Sequence, residues 1–142
     1  MKTYNILDCT LRDGGYYTNW DFSSDVVCRY IETTNKLPID YLEVGYRNKP
    51  SKEYMGKFGY TPVSVLKKLR GCSTKKLAVM LNEKSTTAED LDALLTPIKG
   101  LADMVRIAVD PKNFERAIIL AKAVKNMGFE VAFNTMYMSK WS

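Results

Sequence analysis

Between Ile6 and Phe22 the chain reads ILDCTLRDGGYYTNWDF. Asp8, Arg12 and Asp13 fall within six positions of this run, and Gly14-Gly15 follows at once. The run opens as a buried strand would, yet a strand that only packs has no use for three charges. A carboxylate in such a place can hold a hard divalent cation through oxygen. An adjacent arginine can stabilise an oxyanion that develops on a bound substrate. Together they suit chemistry that passes through an enolate. The same Arg12–Asp13 pair can also be a local salt bridge or cap, so its use depends on where the strand lies.

Five short apolar runs predict strands: YNILDCTL, IDYLEVGY, KKLAVML, ADMVRIAV and FEVAFNT. Four stretches between them carry helix signals. Ser23 or Ser24 can cap SDVVCRYIETTNK, where Val26, Val27, Tyr30 and Ile31 form a stripe at i, i+3, i+4 spacing. Thr61-Pro62 supplies a cap and a first-turn proline to TPVSVLKKLR, which Gly71 ends. STTAEDLDALL carries the capping-box signature. Asp110-Pro111 opens PKNFERAIILAKAVKNMG, with Gly128 just past its end. Strand and helix alternate throughout, which predicts β-α-β units and a parallel sheet. The long connection RNKPSKEYMGKFGY after the second strand is a candidate functional loop at the C-terminal edge of the sheet, or simply a tolerated one.

The strand faces narrow the architecture. Leu42, Val44 and Tyr46 share one face, and Glu43 and Gly45 the other; Leu77, Val79 and Leu81 oppose Ala78, Met80 and Asn82. Val105, Ile107 and Val109 oppose Arg106 and Ala108, and Val131 and Phe133 oppose Ala132 and Asn134. A doubly wound sheet is covered by helices on both sides and is apolar on both. A sheet curled into a barrel places its small and polar face inside, with the active site at the C-terminal mouth. The second pattern fits. Glu43 and Arg106 then point inward and can pair, unless one of them sits at a strand end in solvent. Asn82, Arg106 and Asn134 are candidate substrate-binding groups. Arg12 and Asp13 fall at the mouth, with Asp8, Thr10 and Arg12 on the inward face, and Gly14-Gly15 turns the chain away.

Composition excludes several classes. Of 142 residues, 46% are hydrophobic and 26% charged, as in an ordinary globular domain and unlike a disordered chain. No apolar run approaches the roughly 18 residues of a spanning helix, and no signal-peptide core is present. The net charge of +5 is spread along helix faces rather than blocked, which suits anionic small molecules and argues against a nucleic-acid partner. Cys9, Cys28 and Cys72 are odd in number and form no C-x-x-C pair, so reduced thiols and a cytoplasmic location are expected.

The segment LDCTLRDGG resembles the opening signature, Asp-x-Thr-Leu-Arg-Asp-Gly, of a superfamily of metal-dependent aldolases and lyases with (β/α)8 barrels. That superfamily includes 4-hydroxy-2-oxovalerate aldolase, hydroxymethylglutaryl-CoA lyase, and the isopropylmalate and homocitrate synthases. YLEVGYRN is similar to its second-strand element, and the Asp-Gly-Gly version followed by YYTNWDF looks closest to the aldolases. The resemblance implies that Asp13 is a ligand to Mg²⁺ or Mn²⁺, that Arg12 binds the carbonyl or enolate oxygen, and that Glu43 supports the site from inside. Such families complete the metal site with a late His-x-His, whereas this chain has no histidine. Where the aldolases carry a histidine base, this chain has Tyr16 and Tyr17, which makes Tyr16 the candidate acid–base residue.

The resulting expectation is α/β: an incomplete TIM-type (β/α) barrel of about five parallel strands and four helices. Residues 1–142 would be the N-terminal portion of a (β/α)8 aldolase-type barrel, which in full runs to about 250 residues. The expected activity is C–C bond cleavage through an enolate in a small 2-oxo acid. A Claisen-type acyl-CoA condensation and an inactive half-barrel binding module remain as alternatives. Unpaired barrel edges predict a homo-oligomer. No membrane partner is expected.

Overall fold

Strand order decides between the architectures that alternating β and α units allow. In the computed structural model, which describes residues 4–141, β1 (Leu7–Asp8), β2 (Tyr41–Tyr46), β3 (Lys76–Asn82), β4 (Met104–Val109) and β5 (Glu130–Thr135) form one parallel sheet. Their order in space is their order in sequence, β1-β2-β3-β4-β5. Crossovers of one hand between successive neighbours put all covering helices on the same side, and the sheet curls. The fold is an incomplete α/β barrel of the TIM type.

The convex face carries the main core, with Leu42, Val44, Leu77, Val79, Leu81, Val105, Ile107 and Val109 all at 0% exposure. Against it pack α2 (Ser24–Asn35), α4 (Val63–Cys72), α5 (Leu91–Leu95) and α6 (Phe114–Asn126) through Val27 and Ile31, Leu66 and Leu69, Leu91 and Leu95, and Ala117, Leu120 and Val124. Val26 is largely exposed, so the predicted stripe on α2 is narrower than expected.

Among the described residues six α-helices are present rather than four, because two form where a strand and a loop were expected. The strand predicted over YNILDCTL is only two residues long, and Thr10–Thr18 form α1. Asp8 Oδ1 accepts the Thr10 N–H (2.9 Å) and the Cys9 carbonyl accepts the Asp13 N–H (2.8 Å), so the donors of a first helical turn are claimed immediately after β1. Arg12 and Asp13 therefore lie on a helix, and the parity expected of Asp8, Thr10 and Arg12 does not apply. Gly14-Gly15 is helical too. The chain turns at Asn19 and Trp20, both left-handed (φ 51° and 56°). Gly15 is needed for close approach instead, since a Cβ there would stand 2.0 Å from the Trp20 ring.

The long connection after β2 contains α3 (Lys57–Tyr60) and is pinned to that turn: Gly56 N–H donates to Asn19 (2.7 Å) and Phe58 N–H to Trp20 (3.1 Å). Thr61, left-handed at φ 42°, ends α3 instead of capping α4, and α4 continues through Gly71 to Cys72. Ser23 caps α2, Thr87 and Asp90 form the expected capping box, and Gly128 (φ 96°) follows α6. STTAEDLDALL is less regular than one helix, with single 3-10 turns on either side of α5. A 3-10 turn over Pro111–Asn113 likewise precedes α6.

Candidate active site

A bulge in β2 shapes the inner face. Glu43 pairs with Ala78 and Gly45 with Val79, which leaves Val44 as an extra residue. Beyond the bulge the alternation is inverted. Tyr46, expected among the helix-packing residues, instead lies inside against Met80, Ala108 and Trp20. Such a bulge leaves no mark in the hydrophobic pattern, so Tyr46 was missed from sequence.

Glu43 sits at the centre of the inner face and is fully buried. Its Oε1 accepts Arg12 Nε from α1 (2.7 Å), and both its oxygens accept Arg106 Nη1 from β4 (3.1 and 3.2 Å). Arg106 Nη2 donates to Asn134 Oδ1 on β5, and Arg12 Nη1 donates to Asp13 Oδ1 (2.8 Å). Asp13, Arg12, Glu43, Arg106 and Asn134 thus form one chain of charge-assisted hydrogen bonds across four elements. The expected pairing of Glu43 with Arg106 is present, and neither stands free in solvent.

The electrostatics follow from this order. Burial works against the Arg12 charge, but the hydrogen bond and field of Glu43 outweigh it and hold the guanidinium ionised beyond its usual range. The Arg12 side chain is 9% exposed and that of Asp13 is 66% exposed, so the row of charges runs from the interior out to solvent. Arg12 Nη2 lies outside both ion pairs, and the guanidinium also donates to the Tyr46 hydroxyl. Helix α1 is held in this place by Trp20, whose Nε1 donates to the Arg12 carbonyl (2.8 Å).

Tyr16 also belongs to this neighbourhood, with its hydroxyl 2.8 Å from that of Tyr46. Burial pushes the Tyr46 phenol up, with help from the Tyr16 hydrogen bond. Asn82 does not join the network; its Oδ1 accepts the Lys84 N–H (3.1 Å) in a turn at the end of β3. Asp8 is likewise committed, accepting Tyr30 Oη (2.5 Å) as well as Thr10 N–H. Below the charged row the concave face opens as a cleft of about 430 Å³ bordered by Leu7, Cys9, Tyr41, Met104, Arg106 and Ala132.

The donor set decides what metal this chain can hold. Asp13 offers one exposed carboxylate, and no group of three or more His, Cys, Asp or Glu side chains is placed to bind an ion among the described residues. A hard divalent ion takes six or more oxygen ligands, some of them waters. The residues present do not make a complete site for Mg²⁺ or Mn²⁺.

No family model matches this sequence, and no curated protein does. A solved structure does. The chain is similar to a crystal structure of "the N-terminal domain of a putative aldolase from Bacteroides vulgatus", at 76% identity and a TM-score of 0.95. The match covers 97% of this chain and 46% of the other, so this chain spans about half the length of its solved relative. Among the described residues no helix is long and apolar enough to cross a membrane, and the three cysteines are free.

Proposed function

We propose that this chain supplies the N-terminal half of an aldolase barrel that cleaves or forms a C–C bond in a small 2-oxo acid, in the manner of a 4-hydroxy-2-oxovalerate aldolase. The observation that carries the reading is Arg12: a guanidinium on α1, just past the end of β1, held by Glu43 and Asp13 and turned toward the Tyr46 hydroxyl at the mouth. The likeness to an aldolase's N-terminal domain at 76% identity supports it.

In this reading the Arg12 guanidinium binds the carbonyl oxygen of the 2-oxo acid and stabilises the enolate formed when the C–C bond breaks. Glu43 touches no substrate; it fixes both guanidinia. Arg106, on the inner face between Glu43 and Asn134, is the group suited to the substrate carboxylate, with Asn134 orienting it. Asn82 retains its amide N–H groups for a ligand. Tyr16 exchanges the proton of the substrate hydroxyl. A divalent ion belongs to this reading as a Lewis acid. Asp13 would give it one carboxylate, and the other ligands would come from outside the described residues.

We place the protein in the cytoplasm, with a small 2-oxo acid rather than nucleic acid or membrane as its partner. Copies would associate through β1 and β5, each paired on one side only among the described residues. A monomeric light-scattering mass for the isolated chain would count against that association.

The reading is tested in the full-length protein, at the length of the solved relative. It should release a 2-oxo acid and an aldehyde from 4-hydroxy-2-oxo acids in the presence of Mn²⁺. Condensation of a 2-oxo acid with an acyl-CoA, and no aldehyde release, would overturn it. Calorimetric Mn²⁺ binding should appear in the full-length protein, vanish in Asp13→Asn, and be absent from the isolated 142-residue chain.

A further inference from the structure

The two hydrogen-bonded tyrosines occupy very different surroundings. Tyr46 is 7% exposed and Tyr16 is 61% exposed, although their hydroxyls are 2.8 Å apart. Trp20 fixes both rings edge-on, with centroids 4.7 Å from Tyr16 and 5.7 Å from Tyr46. One end of the pair is therefore dry and rigid, while the other faces solvent at the mouth. A single hydrogen bond between two phenols has one donor. Burial penalises a negative charge on Tyr46, whereas water can solvate one on Tyr16. The inner ring should keep its proton and donate.

We propose that Tyr46 is a positioning residue whose O–H donates a hydrogen bond to Tyr16 Oη and thereby makes Tyr16 the acid–base group of the site. This rests on the aldolase reading for its substrate, but not for its hydrogen bond. In the cleavage direction, the ionised Tyr16 oxygen takes the proton of the substrate's 4-hydroxyl. The O–H electron pair becomes the second bond of the aldehyde carbonyl, and the breaking C–C bond leaves its pair on the enolate. In the forming direction, Tyr16 returns the proton to the new alkoxide. Tyr46 keeps its own proton throughout. The charged group facing the pair is Arg12 from α1, with Glu43 of β2 and Arg106 of β4 behind it. Met80 of β3 and Ala108 of β4 complete the wall without charge.

The test is the hydroxyl proton of the pair, observed by NMR in the chain labelled with ¹³C-tyrosine, with Tyr16→Phe and Tyr46→Phe assigning the rings. The proton should exchange slowly with water, correlate with the ring carbons of Tyr46, and vanish in Tyr46→Phe. A correlation with the Tyr16 ring carbons, or no slowly exchanging hydroxyl proton in the folded chain, overturns the proposal. In the full-length enzyme, Tyr46→Phe should lower kcat with KM little changed, and an unchanged kcat overturns the positioning role. If that protein turns over no 2-oxo acid while the hydroxyl proton behaves as stated, the substrate reading fails and the tyrosine pair stands.

Discussion

Glu43→Gln tests the energetics of the site directly. The carboxylate is fully buried and receives two guanidinia, whose side chains are 9% (Arg12) and 18% (Arg106) exposed. Removing one partner of a buried ion pair costs about 3–5 kcal/mol, because the remaining charge is left uncompensated. Glutamine strands two charges at once, yet Arg12 keeps Asp13, Arg106 keeps Asn134, and the amide oxygen still accepts one bond. These retained contacts place the cost near the lower end, at about 3 kcal/mol. A domain of this size has about 5–15 kcal/mol in all, and its Tm falls by roughly 3 °C per kcal/mol, so a drop of about 10 °C is expected. Urea denaturation followed by circular dichroism measures the loss, with an unchanged slope showing that the folded state is still native. Adding Arg106→Gln should cost less than the sum of the single changes, because Arg106 is no longer stranded. A loss below about 1 kcal/mol, the value of an exposed pair, or strict additivity would refute the reasoning.

Other perturbations give equally definite outcomes. Gly15→Ala forces a methyl group into the Trp20 ring, so it should cost about 1–3 kcal/mol and shift the tryptophan emission to longer wavelength as the ring is displaced; an unchanged spectrum would contradict the packing. The Thr87 backbone N–H and Lys49 hold the Asp90 carboxylate below its ordinary range. A depressed folded value stabilises above the unfolded one, so that contribution should fade as pH falls below about 3.9, and Asp90→Asn should flatten the acid limb of a urea-midpoint profile. Burial and the Asp8 hydrogen bond push the Tyr30 phenol up. A raised folded value gives stability that is present below about pH 10 and lost as pH climbs toward the folded value, so Tyr30→Phe should soften the alkaline fall. An alkaline limb as steep as that of the unmodified chain would count against it.

The barrel was legible because its strands alternate branched and small or polar residues, a signal of period two that survives without knowledge of the neighbours. Glu43 and Arg106 could be paired on paper for the same reason. Three features were hidden. α1 depends on Asp8 and Cys9 meeting the donors of a first turn, and Gly-Gly in its middle argues against a helix until Trp20 is seen lying on Gly15. The bulge at Val44 inverts the face of Tyr46 with no change of residue type. Arg47 spans the loops by donating to the carbonyls of Tyr60, Thr61 and Leu94, contacts that only the assembled fold creates.

The most direct test of the account is the rate of pyruvate release from 4-hydroxy-2-oxovalerate by the full-length protein and its Arg12→Lys variant, with Mn²⁺ present. Lysine cannot hold Glu43 and Asp13 while presenting a further N–H to an enolate, because a fork is replaced by a point charge. The account predicts turnover by the unmodified protein and a loss of about 10²–10³-fold in kcat for the variant. Equal rates, or no release from any 4-hydroxy-2-oxo acid by the unmodified protein, would contradict it.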